Sequence, residues 1–128
     1  MDVLLFNAGS GVFKGVEDIT PDEFEATLAG QCVWLTPCPQ AVIPAMNAGG
    51  AGAIIFAGAT ASLRGGKATA AFAPAKAAQR SMAQSMARTL WPRGIHVALT
   101  MVDGFVDLPR TRRRCRTDPT PSLSIPPM

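Results

Sequence analysis

The sequence has no tyrosine, a single histidine and only three cysteines in 128 residues. Without a phenol, no tyrosine acid–base chemistry is open to it. His96 stands alone, and Cys32, Cys38 and Cys115 show neither C-x-x-C spacing nor a histidine cluster. No metal site and no disulfide framework is expected, and Cys32 and Cys38 read as small buried thiols. The opening Met1-Asp2-Val3-Leu4-Leu5-Phe6 has no basic segment, and its apolar run is too short for a secretory signal. No stretch approaches the ~20 apolar residues of a membrane span. The cytoplasm is the default location.

What is present suits one small α/β domain. Hydrophobic residues make up 48% of the chain, enough for a real core with little to spare. The net charge of +3 is unevenly distributed: Met1 to Pro109 holds seven Lys and Arg against eight Asp and Glu, while Arg110, Arg112, Arg113, Arg114 and Arg116 crowd a short stretch near the C-terminus. The body is near neutral and the basic character belongs to a tail.

Val3 to Phe6 reads as a short buried strand that runs into the turn Asn7-Ala8-Gly9-Ser10-Gly11. Thr20-Pro21-Asp22-Glu23-Phe24 starts a helix, with Thr20 as N-cap, Pro21 at the first helical position and Glu23 three residues after the cap. That helix is expected to run towards Met46 and to carry Phe24, Leu28, Trp34, Leu35, Val42 and Ile43 inward. Pro37 and Pro39 should break or kink it, because each removes a backbone donor and clashes with the preceding turn. Ala53 to Ala57 is a second buried strand after the Gly49-Gly50-Ala51-Gly52 turn. A second helix spans about Thr69 to Leu90, with Ala71, Ala78, Met82, Met86 and Leu90 at helical spacing and Pro74 tolerated in the first turn. Arg93-Gly94 ends it, and Ile95 to Leu99 is a third strand. The order β-α-β-α-β with short links predicts a partial, Rossmann-like parallel sheet joined by right-handed crossovers. The domain is expected over residues 1–108. Residues 109–128 hold five prolines, the five clustered arginines and no periodicity, and read as a disordered tail.

Five segments, in this order, resemble the second half of a short-chain dehydrogenase/reductase. Asn7-Ala8-Gly9 is similar to that family's N-A-G segment. Gly58-Ala59-Thr60-Ala61-Ser62 and Phe72-Ala73-Pro74-Ala75-Lys76 stand where its serine and its Y-x-x-x-K run belong. Arg93-Gly94-Ile95-His96-Val97 and Asp103-Gly104-Phe105-Val106 are similar to its R-G-I-x-V entry and its P-G-x-[IV] turn. The resemblance implies NAD or NADP as cofactor, with Asn7, Ala8, Gly9, Lys76 and the backbone N–H of Val106 as remnant contacts. It also implies four catalytic positions: a tyrosine that moves the proton, a lysine that lowers its pKa and holds the nicotinamide ribose, a serine that orients the carbonyl, and an asparagine that maintains a water relay. By spacing, the tyrosine position is Phe72, the serine position Ala59 with Thr60 the nearest hydroxyl, and the asparagine position Gln31. Only Lys76 is retained.

Phenylalanine cannot transfer a proton, and loss of a positioned acid removes about 10²- to 10⁴-fold in rate. Loss of the serine donor costs about 2.7–4 kcal/mol more where such a donor stabilises an oxyanion. The family's glycine-rich dinucleotide turn belongs to its first half. Gly9-Ser10-Gly11 and Gly49-Gly50-Ala51-Gly52 do not open a helix directly after a strand and read as ordinary turns. Absence of that first half would leave Val3 to Phe6 an unpaired, apolar, central-type strand exposed at an edge.

Three readings follow. The first is a truncated, divergent family member, an NAD(P)-dependent oxidoreductase by descent without the usual activity, the chain alone not binding its cofactor. The second is a working member of an unusual branch that uses Lys76 or Thr60. The third is a non-catalytic interaction module, associating with a second copy through the helices at about 21–46 and 69–90, or with nucleic acid through Arg110, Arg112, Arg113, Arg114 and Arg116.

Overall fold

The computed structural model describes Asp2 to Gly104. Val106, Leu108, Cys115, the arginine cluster and the expected tail lie outside the described residues.

Three strands, β1 (Val3–Phe6), β2 (Gly52–Ala59) and β3 (Ile95–Val102), form one parallel sheet in the order β1-β2-β3. The expected α/β architecture with a partial parallel sheet is present. β2 is central and pairs along its whole length with β3, from Gly52 opposite Ile95 to Ala59 opposite Val102. β1 has the expected bounds, while β2 and β3 run longer than periodicity alone marked out.

The first crossover holds two helices, α1 (Pro21–Cys32) and α2 (Pro37–Ala48), separated by a 3-10 turn at Val33–Leu35. The expected break is real, but it falls just before the prolines. Pro37 is the first residue of α2 and Pro39 lies in its first turn, where a missing N–H costs nothing. Pro44, which the sequence reading passed over, sits inside α2. α1 opens on the expected capping box: Thr20 Oγ1 accepts from the Glu23 N–H at 3.2 Å, and a Glu23 carboxylate oxygen accepts from the Thr20 N–H at 3.1 Å. The other Glu23 oxygen takes a bond from Lys14 Nζ at 2.7 Å, which holds the Glu23 carboxyl below its usual pKa.

The second crossover carries α3 (Phe72–Leu90), which starts three residues later than expected. It closes through a 3-10 turn at Trp91–Arg93 onto Gly94, whose φ of 76° lies in the left-handed region. A Cβ there would sit 2.5 Å from the carbonyl oxygen of Gly50, so glycine is required on both counts. With this strand order, crossovers of the usual right hand place every helix on the same face of the sheet. Burial agrees with that arrangement. Phe6, Ile54, Phe56, Ile95 and Val97 form one buried cluster with Leu35, Met46, Ala83 and Leu90 from the helical side. The alternate residues Val3 and Leu5 are exposed, and their partners Ala53 and Ile55 only half-buried. Parallel sheets are normally covered on both faces; among the described residues this one is covered on one.

Several expected placements need correction. Val3 to Phe6 is not unpaired: it pairs with β2 from Val3 opposite Ala53 to Phe6 opposite Phe56, and among the described residues its outer edge has no partner strand. Trp34 is exposed, because the 3-10 turn rotates it away from the core, and Ala78 lies on the outer face of α3. Cys32 and Cys38 are half-buried, not buried. No described helix is long and apolar enough to cross a membrane.

Phe56 is fully buried in the central strand, its ring 5.6 Å from that of Phe6. Phe56→Ala should therefore cost about 3–5 kcal/mol, enough to abolish cooperative unfolding in a domain this small. Denaturant titration followed by far-UV dichroism would measure it.

Candidate functional site

The C-terminal ends of parallel strands are where α/β folds gather their chemistry. Here that rim is formed by the loop after Phe6, the 3-10 turn Thr60–Ser62 after β2, the start of α3, and Asp103-Gly104 after β3.

Phe72 is the first residue of α3, and its ring lies against the loop that follows β1. It stacks on Phe13 with centroids 4.7 Å apart and planes 30° apart. A Cβ on Gly11 would come within 2.8 Å of the Phe72 ring. The ring is thus packed between a glycine and a second phenylalanine, an apolar contact with no proton to offer.

Lys76 follows one helical turn later, on the same face as Phe72. It is only 8% exposed. Its Nζ donates to the carbonyl oxygen of Ala57 in β2 and to Gln79 Oε1, each at 3.0 Å, and stands 5.9 Å from the Phe72 ring centroid. Burial pushes the Lys76 ammonium below its usual pKa, with a smaller opposing effect from Cys32. Two of three ammonium protons are committed to the protein itself.

Gln31, near the end of α1, is buried. Its amide donates to the carbonyl oxygen of Ser10, while Oε1 has no partner among the described residues. A Cβ on Gly9 would meet this side chain at 2.6 Å, so Gly9 is what lets the loop close over Gln31. Asn7 and Ala8 are exposed in the same loop. Ala59 ends β2, and Thr60 Oγ1 donates to Asp103 Oδ1 at 2.9 Å. The structure therefore brings Gln31 to Gly9, Phe72 to the same loop, and Lys76 to β2 two residues before Ala59. Val106 lies outside the described residues. No group of three potential metal ligands occurs among them.

Sequence reasoning missed Phe13, Gln79 and the side-chain role of Asp103. Gln79 was readable, since it stands at i+3 from Lys76 on a helix. Phe13 had no signal. Asp103 required the β2–β3 register.

The family model for short chain dehydrogenases matches residues 1–117. The chain belongs to that family. It is similar to a short-chain dehydrogenase from Rhodopseudomonas palustris, 36% identical with a TM-score of 0.72, over 92% of this chain and 56% of that one. It is similar also to a 3-oxoacyl (acyl-carrier-protein) reductase from Agrobacterium tumefaciens C58 with NADP bound, 29% identical with a TM-score of 0.78, over 93% of this chain and 46% of that one. Human 17-beta-hydroxysteroid dehydrogenase type 1 is 29% identical over 99 residues, which are 77% of this chain and 30% of that protein. The chain thus spans well under two thirds of each relative's length.

Structures of family members hold NAD or NADP, and the described residues contain no tight strand-to-helix turn of the kind that seats a dinucleotide's pyrophosphate. Neither crossover passes straight from strand to helix: β1 ends at Phe6 and α1 begins at Pro21, β2 ends at Ala59 and α3 begins at Phe72. The α1 N-terminus is closed by its own capping box, with Asp22 and Glu23 in its first turn, a poor seat for a pyrophosphate.

Burial of Lys76 has a consequence for stability. Between its lowered folded-state pKa and the ordinary 10.5, the unfolded chain binds more protons at this site than the folded one. Stability contributed through Lys76 should therefore rise with pH across that window. Lys76→Met should flatten the rise, measured as unfolding free energy against pH in the alkaline range.

Proposed function

We propose that this chain is a divergent short-chain dehydrogenase domain, an oxidoreductase by descent, that keeps the family lysine without tyrosine-dependent proton transfer. We propose further that it does not bind NAD(P) by itself. The packing of Phe72 against Phe13 and Gly11 carries this reading, because the position of the proton donor is filled by an apolar stack. Lys76 supports it. In the absence of a phenol to tune, its protons satisfy a backbone carbonyl and a glutamine. The reading in which Thr60 or Lys76 substitutes as the working group has less support. Thr60 has one proton, already given to Asp103, and Lys76 is buried.

Calorimetric titration of the chain with NADH and NADPH should show no appreciable binding, and Phe72→Tyr should gain no turnover with a panel of ketones and secondary alcohols. A dissociation constant in the low micromolar range, or activity on restoring the one hydroxyl, would overturn the proposal.

Self-association belongs to the same reading. The expected helical seam has a candidate in the groove of about 290 Å³ between α2 and α3, walled by Pro39, Ile43, Met82, Met86 and Leu90. The uncovered sheet face at Val3 and Leu5 is the rival surface. Sedimentation velocity should show concentration-dependent association that Met86→Lys weakens and Leu5→Lys leaves in place. A sharp monomer at all concentrations would refute association, and the reverse ranking of the two variants would move it to the sheet.

A further inference from the structure

The family positions gather at the C-terminal ends of the strands, and the groove between α2 and α3 has its charge at the opposite end. Arg93, which lines it, belongs to the turn that leads into β3 and so stands at the N-terminal ends of the strands. The cavity, about 290 Å³, is at the lower end of the volumes that hold small ligands. Ile43, Met82 and Met86 form half-buried walls. Two of these are unbranched thioethers, which adapt to a flexible guest. Thr89, on the same wall, has given its hydroxyl proton to the Ser85 carbonyl oxygen at 3.0 Å and offers the groove no donor.

Charge is what decides the occupant. Every element that walls the groove lies within Val33 to Val102, and that stretch contains no Asp or Glu. Arg93 Nε donates to Asn47 Oδ1 at 3.2 Å, which fixes the guanidinium at the end of α3. Among the described residues its two terminal nitrogens make no further bond and no ion pair. They present a planar fork of N–H donors, the shape that matches a carboxylate. A second copy of the chain could cover the apolar walls. It would bring no anion from its own α2 and α3, which are equally free of carboxylates. A flexible alkyl chain that ends in an anion satisfies both features.

We propose that this groove binds a single-chain aliphatic carboxylate, its alkyl chain along Ile43, Met82 and Met86 and its carboxylate on the Arg93 guanidinium. No bond is made or broken. The site uses none of the family positions, so it stands or falls apart from the oxidoreductase reading. Ligand and second copy exclude one another in the groove, and a chain that stays monomeric leaves it free.

Saturation-transfer NMR on the dilute full chain tests the proposal, with octanoate, octan-1-ol, octylammonium and butanoate as probes. Octanoate should give a saturable signal, octan-1-ol should bind more weakly and octylammonium most weakly. Each methylene removed between octanoate and butanoate should weaken binding about two- to fourfold. Arg93→Gln should weaken octanoate about fivefold, the range of an exposed ion pair, and leave octan-1-ol unchanged, which shows the groove intact. Met86→Gln keeps the side-chain length and should weaken both ligands alike. Replacing Arg112 and Arg113 together by Gln should leave octanoate binding as it is. The proposal is overturned by the absence of a saturable octanoate signal, by octylammonium binding as tightly, or by octanoate affinity unchanged in Arg93→Gln. It is overturned equally if the Arg112 and Arg113 replacement loses as much as Arg93→Gln, which would put the carboxylate on that arginine cluster. Sedimentation of the same samples reads self-association separately.

Discussion

Everything in this molecule is referred to the eight-residue pairing of β2 with β3. Because β2 is central, its register with β1 and β3 decides which residues of each strand face the helices. It also sets which side chains stand together at the C-terminal rim. Phe6 meets Phe56, and Ile54 lies opposite Val97, so one buried layer is built from three strands. A one-residue slip would turn this layer to the open face. The small residues at the strand margins serve the same end. Gly52 has no side chain because Met46 of α2 occupies the place where one would be, at 2.6 Å from a notional Cβ. The helical layer can then sit directly on the sheet.

The Phe72 ring beside Lys76 has no hydroxyl to accept a proton, so the ammonium finds its acceptors elsewhere. A buried ammonium must have its protons accepted, because the cost of leaving them bare in a low dielectric is several kcal/mol or more. Lys76 meets that demand with Ala57 O and Gln79 Oε1. The bond to Ala57 ties α3 to the central strand, so the residue that resembles a catalytic one acts here as a cross-link between layers. Burial lowers its pKa because the two neutral acceptors compensate only part of the lost hydration.

The fold was largely legible in the sequence, and the reason is periodicity. Short apolar runs bounded by glycine gave all three strands, and Thr20-Pro21-x-Glu23 gave the start of α1 through a capping box that the structure contains. What failed was local and physical. Trp34 was placed inward because helical periodicity was carried through a segment where the chain changes to a 3-10 turn. The break was assigned to Pro37 and Pro39, although a proline starts a helix more easily than it interrupts one. At the site, spacing placed Phe72, Lys76, Gln31 and Ala59 in the order a known family suggests. It could not reveal Phe13 against Phe72, or Thr60 against Asp103, because each pair is distant in sequence and joined only by tertiary packing or strand register.

Taken together, these contacts give the rim an unusual polarity. A carbonyl oxygen entering such a site needs a side-chain donor. The groups in the family positions offer little: Phe72 is apolar, Ala59 has no polar atom, Gln31 has its amide on Ser10 O, and Lys76 is turned inward. The hydroxyl nearest the serine position has given its proton to a carboxylate. Among the described residues the unmatched buried groups are of both signs, the acceptor Gln31 Oε1 and the donor Gln79 Nε2. Hydrogen-bond sign is a stronger discriminator than shape, because a buried or fixed polar group facing another of the same sign is left unpaired. With Phe72 and Ala59 at the positions that resemble the family's tyrosine and serine, two side-chain donors for a carbonyl oxygen are missing from this rim.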